Sequence, residues 1–100
     1  MALILVKSAT AYIVKGGTGE YDDRTDWYVY ATTSKPEALA LHAALEKWCA
    51  DNGCSYEISI AKMMELRGKH PPEDPGFKLD YSGTQYWIDE CPIGIDPNTV

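Results

Sequence analysis

The segment SKPEALALHAALEKWCADNG, residues 34–53, constrains the architecture more than any other part of this chain. Ser34 and Glu37 have the S-x-x-E spacing of a capping box, in which a hydroxyl and a carboxylate satisfy backbone N–H groups that the first helical turn leaves unpaired. Pro36 falls in that first turn, where its missing N–H costs nothing. Ala38, Leu41, Ala44, Leu45 and Trp48 recur at helical spacing as one apolar stripe, while Lys35, Glu46, Lys47 and Asp51 stay wet. Asn52-Gly53 supplies a left-handed stop. The pattern predicts a helix over 35–52. A helix with one apolar stripe must lie on something, so the rest of the chain is read for a surface to receive it.

That surface reads as a sheet. Residues 3–15, LILVKSATAYIVK, are rich in β-branched and aromatic residues and read as one or two strands, best defined over 10–15. Gly16, Gly17 and Gly19 punctuate the chain, and WYVYAT, 27–32, reads as the next strand. Strict alternation places Trp27, Val29 and Ala31 on one face and Tyr28, Tyr30 and Thr32 on the other. Both faces are partly apolar, which predicts an interior strand. Near the C-terminus, FKLDY (77–81) and QYWIDEC (85–91) flank Ser82-Gly83-Thr84 and read as a β-hairpin. Residues 56–67 are ambiguous: Tyr56, Ile58 and Ile60 alternate as in a strand, whereas KMMELRG continues with helical spacing, which favours a short second helix over roughly 57–67. HPPEDPG, 70–76, holds three prolines and is a stiff connector. Pro92 and Pro97 end regular structure. The order β-β-α-(α)-β-β describes a single α+β domain over 1–100: a small antiparallel sheet of about four strands with one long helix on one face.

Charge and cysteine usage narrow the function classes. The net charge is −6 and the sequence pI about 4.7, which disfavours direct contact with nucleic acid or an anionic membrane. Cys49, Cys54 and Cys91 form no C-x-x-C pair, so they read as free thiols of a reducing cytoplasm rather than a disulfide framework or zinc site. ALILV is too short to span a membrane and lacks the flanks of a signal peptide. The expected location is cytoplasmic.

The densest chemistry lies in GGTGEYDDRTDW, 16–27. A phosphate loop needs glycines leading to a lysine and a helix, whereas here they run into Glu20, Asp22 and Asp23, which repel phosphate, and then a strand. The carboxylates are hard oxygen ligands, yet their spacing fits no EF-hand frame, so no metal is assigned. His42 on a helix flank and His70 beside Pro71 have no nucleophile placed near them by sequence, and the chain reads as a non-enzyme without cofactor. Seven tyrosines and three tryptophans, including Tyr21, Trp27, Tyr28, Tyr30, Tyr86 and Trp87, are more than one helix can cover. Aromatic rings beside carboxylates suit a basic protein partner. The candidate contact residues are Glu20, Tyr21, Asp22, Asp23 and Asp26, with Trp27 or Trp87 as anchor.

Two stretches also carry a resemblance. Tyr12-Ile13-Val14 followed by Gly19-Glu20-Tyr21-Asp22-Asp23, and Asp80-Tyr81-Ser82-Gly83-Thr84-Gln85-Tyr86-Trp87, together resemble a family of small phage and prophage accessory proteins, which share a Y-x-V strand, a G-x-Y-[SD]-D segment and a D-Y-[TS]-G-T-x-Y-[YW] hairpin. The likeness covers residues 12–31 and 75–92. These motifs carry no known activity, so the resemblance implies origin: a phage accessory protein in a bacterial host. Small acidic phage proteins include inhibitors of host defence such as anti-CRISPR proteins, an analogy of charge and context rather than of residues. The expectation is a binder that inhibits a host protein through its acidic, aromatic-flanked loop. The alternative is a homodimeric structural or regulatory module.

Overall fold

The computed structural model describes residues 9–54 and 57–93. The proposed strand content of 3–8, Tyr56 and the chain end around Pro97 lie outside the described residues. The elements are β1 (Ala9–Thr18), a 3-10 turn at Tyr21–Asp23, β2 (Thr25–Thr32), α1 (Lys35–Asn52), α2 (Ile60–Glu65) and β3 (Thr84–Ile93). The strands form one antiparallel sheet in the order β2-β1-β3, so the architecture is α+β with one long helix and a short second one.

α1 matches the local signals closely. The Ser34 side chain accepts from the Glu37 N–H, and Gly53 closes the helix at φ 70. The capping box is only half made, however. Ser34 N donates to Thr32 Oγ1 at 3.0 Å, and the Glu37 carboxylate instead accepts from Tyr30 Oη at 2.8 Å. The apolar stripe is seated on the sheet: Ala38, Leu45 and Cys49 are buried against Val14 and Tyr86, with Leu41 and Trp48 packed beside them. α2 is shorter than expected and is capped by Ser59, whose side chain accepts from Lys62 N.

Among the described residues three strands stand where about four were expected, because the C-terminal hairpin does not form. β3 pairs with β1 along its whole length, from Thr18↔Thr84 to Ala9↔Ile93, so Pro92, expected to end regular structure, lies inside the strand opposite Thr10, where an edge strand tolerates its missing N–H. Residues 77–83 are irregular. Phe77 packs edge-on against Trp48 of α1, with ring centroids 5.1 Å apart, so its apolar residues serve the helix layer rather than a sheet face. The polar groups of this segment are tied to the end of β1. Thr18 Oγ1 donates to Gly83 O at 2.7 Å and accepts from Asp80 N at 2.8 Å, while Ser82 Oγ accepts from Gly19 N at 2.8 Å. The Asp80–Gly83 turn exists, with Gly83 N donating to Asp80 O at 2.8 Å, but it delivers the chain from the helix layer to the sheet.

Three further expectations are corrected. In the described sheet β2 is an edge strand, not an interior one; Tyr28 and Tyr30 are both exposed, and the Tyr30 hydroxyl is satisfied by Glu37 rather than by a second sheet neighbour. Its alternation also breaks. Val14 pairs with Tyr30 but Lys15 pairs with Tyr28, leaving Val29 as the extra residue of a β-bulge. Cross-strand partners share a face, so beyond the bulge Tyr30 and Thr32 join the helix side and Ala31 turns outward. Gly16 and Gly17, read as punctuation, lie inside β1. A Cβ on Gly16 would lie 2.6 Å from Trp27 Cζ2 and 2.9 Å from Tyr86 Cε1, so this glycine makes room for two rings. The reversal itself falls to Gly19, at φ 88.

Candidate contact surface

The loop between β1 and β2 is a single tight turn. Asp23 N donates to Glu20 O at 2.9 Å and Arg24 N to Tyr21 O at 3.1 Å, which winds Tyr21–Asp23 into its 3-10 geometry. Tyr21 sits at φ 50, in the left-handed region where a bulky side chain is strained. The residue is 94% exposed. Asp22 and Asp23, within the same turn, are exposed as well. Among the described residues no cation pairs with Glu20, Asp22 or Asp23. Asp26 differs, because its Oδ1 accepts from Arg24 Nε at 2.7 Å and its charge is locally balanced.

Arg24 links this turn to the outer face of the sheet. Its guanidinium lies 5.4 Å from the Trp87 ring centroid, and Lys15 Nζ lies 5.7 Å from the same centroid and 5.2 Å from that of Tyr28. The register explains the row: Lys15 is paired with Tyr28 on one side and Trp87 on the other. Such cation–π contacts hold the rings in place while leaving their outer surfaces available; Tyr28 is 75% exposed. Lys15 also pairs with Asp89 at 3.3 Å. On the outer face Lys15 and Arg24 thus each have an acidic partner, whereas among the described residues Glu20, Asp22 and Asp23 stand together in the turn without one.

The two candidate anchors part company. Trp87 stands on the outer face, whereas Trp27 faces the helix layer, where Nε1 donates to Asp74 Oδ2 at 2.9 Å. Tyr86 Oη donates to the same oxygen at 2.6 Å, and the two rings meet edge-to-face with centroids 6.4 Å apart. Asp74 is 2% exposed, and its Oδ1 accepts from Gly76 N at 3.2 Å. Burial first, and the bond to Asp74 second, push the Tyr86 phenol well above its ordinary range. By sequence Asp74 reads only as part of a stiff connector. The local signal for its role is Asp-Pro-Gly, whose aspartate folds back on the chain two residues later.

The histidines have structural occupations. His42 Nε2 lies 3.0 Å from both Tyr86 O and Glu46 Oε1, and His70 Nδ1 lies 2.7 Å from Pro71 O. Arg24, Glu46, Gln85 and Trp87 line a groove of about 540 Å³ where α1 meets β3. Among the described residues, no three His, Cys, Asp or Glu side chains are grouped closely enough to hold a metal ion, and no helix is long and apolar enough to cross a membrane. No family model, curated protein or solved structure matches the chain.

Proposed function

We propose that this chain is a non-enzymatic accessory protein of phage type that binds a host protein with a basic surface and inhibits it, in the manner of an anti-CRISPR or other anti-defence protein. The observation that carries the reading is the turn at Glu20–Asp23: a strained, almost fully exposed tyrosine set among three carboxylates that no described cation neutralises. Strain held at an exposed position and unpaired charge both favour a contact role over a packing role. Arg24 continues the surface to Trp87, so the anchor in this reading is Tyr21 together with Trp87, while Trp27 supports them from within. The phage origin rests on the resemblance of residues 12–31 and 75–92.

The test is capture of a partner from bacterial lysate by the immobilised chain, compared with a variant carrying both Asp22→Lys and Asp23→Lys. Wild type is expected to retain a basic protein at fixed stoichiometry, and the reversed variant to lose roughly tenfold or more of it. Equal retention by both proteins removes the turn from the contact.

A homodimer is the second reading. Each flank of the described sheet ends on a strand with one partner, β2 on one side and β3 on the other, and such open edges can pair with a second copy. Light scattering decides it: a dimer that persists on dilution favours this reading, and a monomer removes it.

A further inference from the structure

The C-terminus of α1 closes in a way that brings two cysteines together. Cys54 N donates to Cys49 O at 2.9 Å and Gly53 N to Ala50 O at 3.4 Å, with Gly53 left-handed at φ 70. These are the paired bonds of a Schellman motif, in which the side chain after the glycine contacts the side chain five positions earlier. That contact is ordinarily between two hydrophobic groups. Here those two positions are held by cysteines, and both belong to the buried core: Cys49 is 8% exposed and Cys54 5%. Cys91 is separate and exposed on β3.

We propose that Cys49 and Cys54 form a redox-active dithiol, which closes to an intramolecular disulfide when the protein meets a peroxide and reopens with a dithiol reductant. This inference is independent of the binding function proposed above.

The two thiols are not equivalent. The hydrogen bond from Cys49 lowers the Cys54 pKa, against the effect of burial, and Lys62 adds to the lowering. The stem of Lys62 lies over the turn, its Cε 3.3 Å from where a Cβ on Gly53 would stand. Cys49 is pushed up, by its bond to Cys54 and by burial. Cys54 is therefore the attacking thiol and Cys49 the resolving one. In the first step the Cys54 thiolate attacks one peroxide oxygen and the O–O bond breaks. The sulfur becomes a sulfenic acid, and the other oxygen leaves as hydroxide, which takes up the thiol's proton to give water. In the second step Cys49 sulfur attacks Cys54 sulfur, the S–O bond breaks, and the hydroxyl leaves with the Cys49 proton as a second water. Two thiols lose two electrons and two protons in all, and one peroxide is reduced to two waters. The peptide after Cys54 also meets the sheet, since Cys54 O accepts from Thr84 N at 3.4 Å, so closure ties the last turn of α1 to the start of β3.

The reduced full chain should be treated with hydrogen peroxide, denatured, alkylated and mapped by mass spectrometry. The expected product is a monomer lighter by two hydrogens, with Cys49 joined to Cys54 and Cys91 still alkylated; dithiothreitol should restore all three thiols. In Cys49→Ser, a dimedone adduct should accumulate on Cys54. In Cys54→Ser, disulfide closure is impossible and peroxide-dependent loss of the Cys49 thiol should slow by roughly tenfold or more relative to wild type. Three alkylatable thiols after peroxide, a cross-link through Cys91, or a Cys49→Ser protein with no adduct on Cys54 each overturns the proposal. The wild-type map stands even if a variant fails to fold.

Discussion

The buried carboxylate of Asp74 and the exposed carboxylates of the Glu20–Asp23 turn use the same chemistry to opposite ends. Both set carboxylate oxygens beside aromatic side chains. Around Asp74 the partners come from distant parts of the chain, Trp27 47 residues away and Tyr86 12 residues away, and the sheet and connector close over them. In the turn, Tyr21 and its acidic neighbours are adjacent in sequence, and one turn cannot enclose its own side chains. An enclosed carboxylate becomes a structural acceptor that holds two rings in place, whereas an unenclosed one keeps its charge in water. Identity of residue type says little about role until enclosure is known.

The comparison is best broken at its buried end. Asp74→Ala removes the acceptor of two buried donors and should destabilise the fold by about 4 kcal/mol, read from the urea midpoint. Gly16→Ala should cost about 2 kcal/mol on the same measurement, since its methyl group meets both the Trp27 and Tyr86 rings and the backbone beside them is fixed by β pairing. Tyr86→Phe should cost about 1 kcal/mol near neutral pH. It should also change the alkaline limb of the stability curve. The folded Tyr86 phenol is held above its ordinary value of 10.0, so its contribution is whole below that pH and is lost as pH rises, when the unfolded chain ionises and the folded one does not. Urea midpoints of wild type should therefore fall between about pH 9 and about pH 11 more steeply than those of the Phe variant; parallel curves would show that Tyr86 is not the group responsible.

At the exposed end the effects on stability should be small. Tyr21→Gly should stabilise by up to about 1 kcal/mol, because glycine accepts the left-handed backbone without strain. Joint Asp22→Lys and Asp23→Lys substitution should leave the urea midpoint within about 0.5 kcal/mol of wild type while reducing partner capture. A large loss of stability there would place these carboxylates with Asp74 as structural groups.

Legibility followed the range of the interactions. α1 was readable to its ends because Ser34, Pro36, Asn52 and Gly53 act within a turn of where they stand. The exposed acidic turn was readable for the same reason. The strand at 27–32 was recognised, yet its edge position and the Val29 bulge depend on which partners β1 takes. FKLDY has the alternation of a strand, but Phe77 finds Trp48 before it finds a neighbouring strand. Asp74 was missed because nothing within the connector says that an indole and a phenol will converge on it.

By itself, the sequence determined the long helix and its caps, the acidic character of the chain, the aromatic strands and the wet turn between the first two. Each follows from hydrogen bonds or sterics acting over a few residues, or from composition alone. Tertiary structure alone decided that β3 abandons a local hairpin to pair with β1, that Gly16 is a slot for two rings, and that Trp27 points inward and Trp87 outward. Strand pairing and burial join residues far apart in the chain, and their outcome is a competition among all available partners that no single stretch of sequence records.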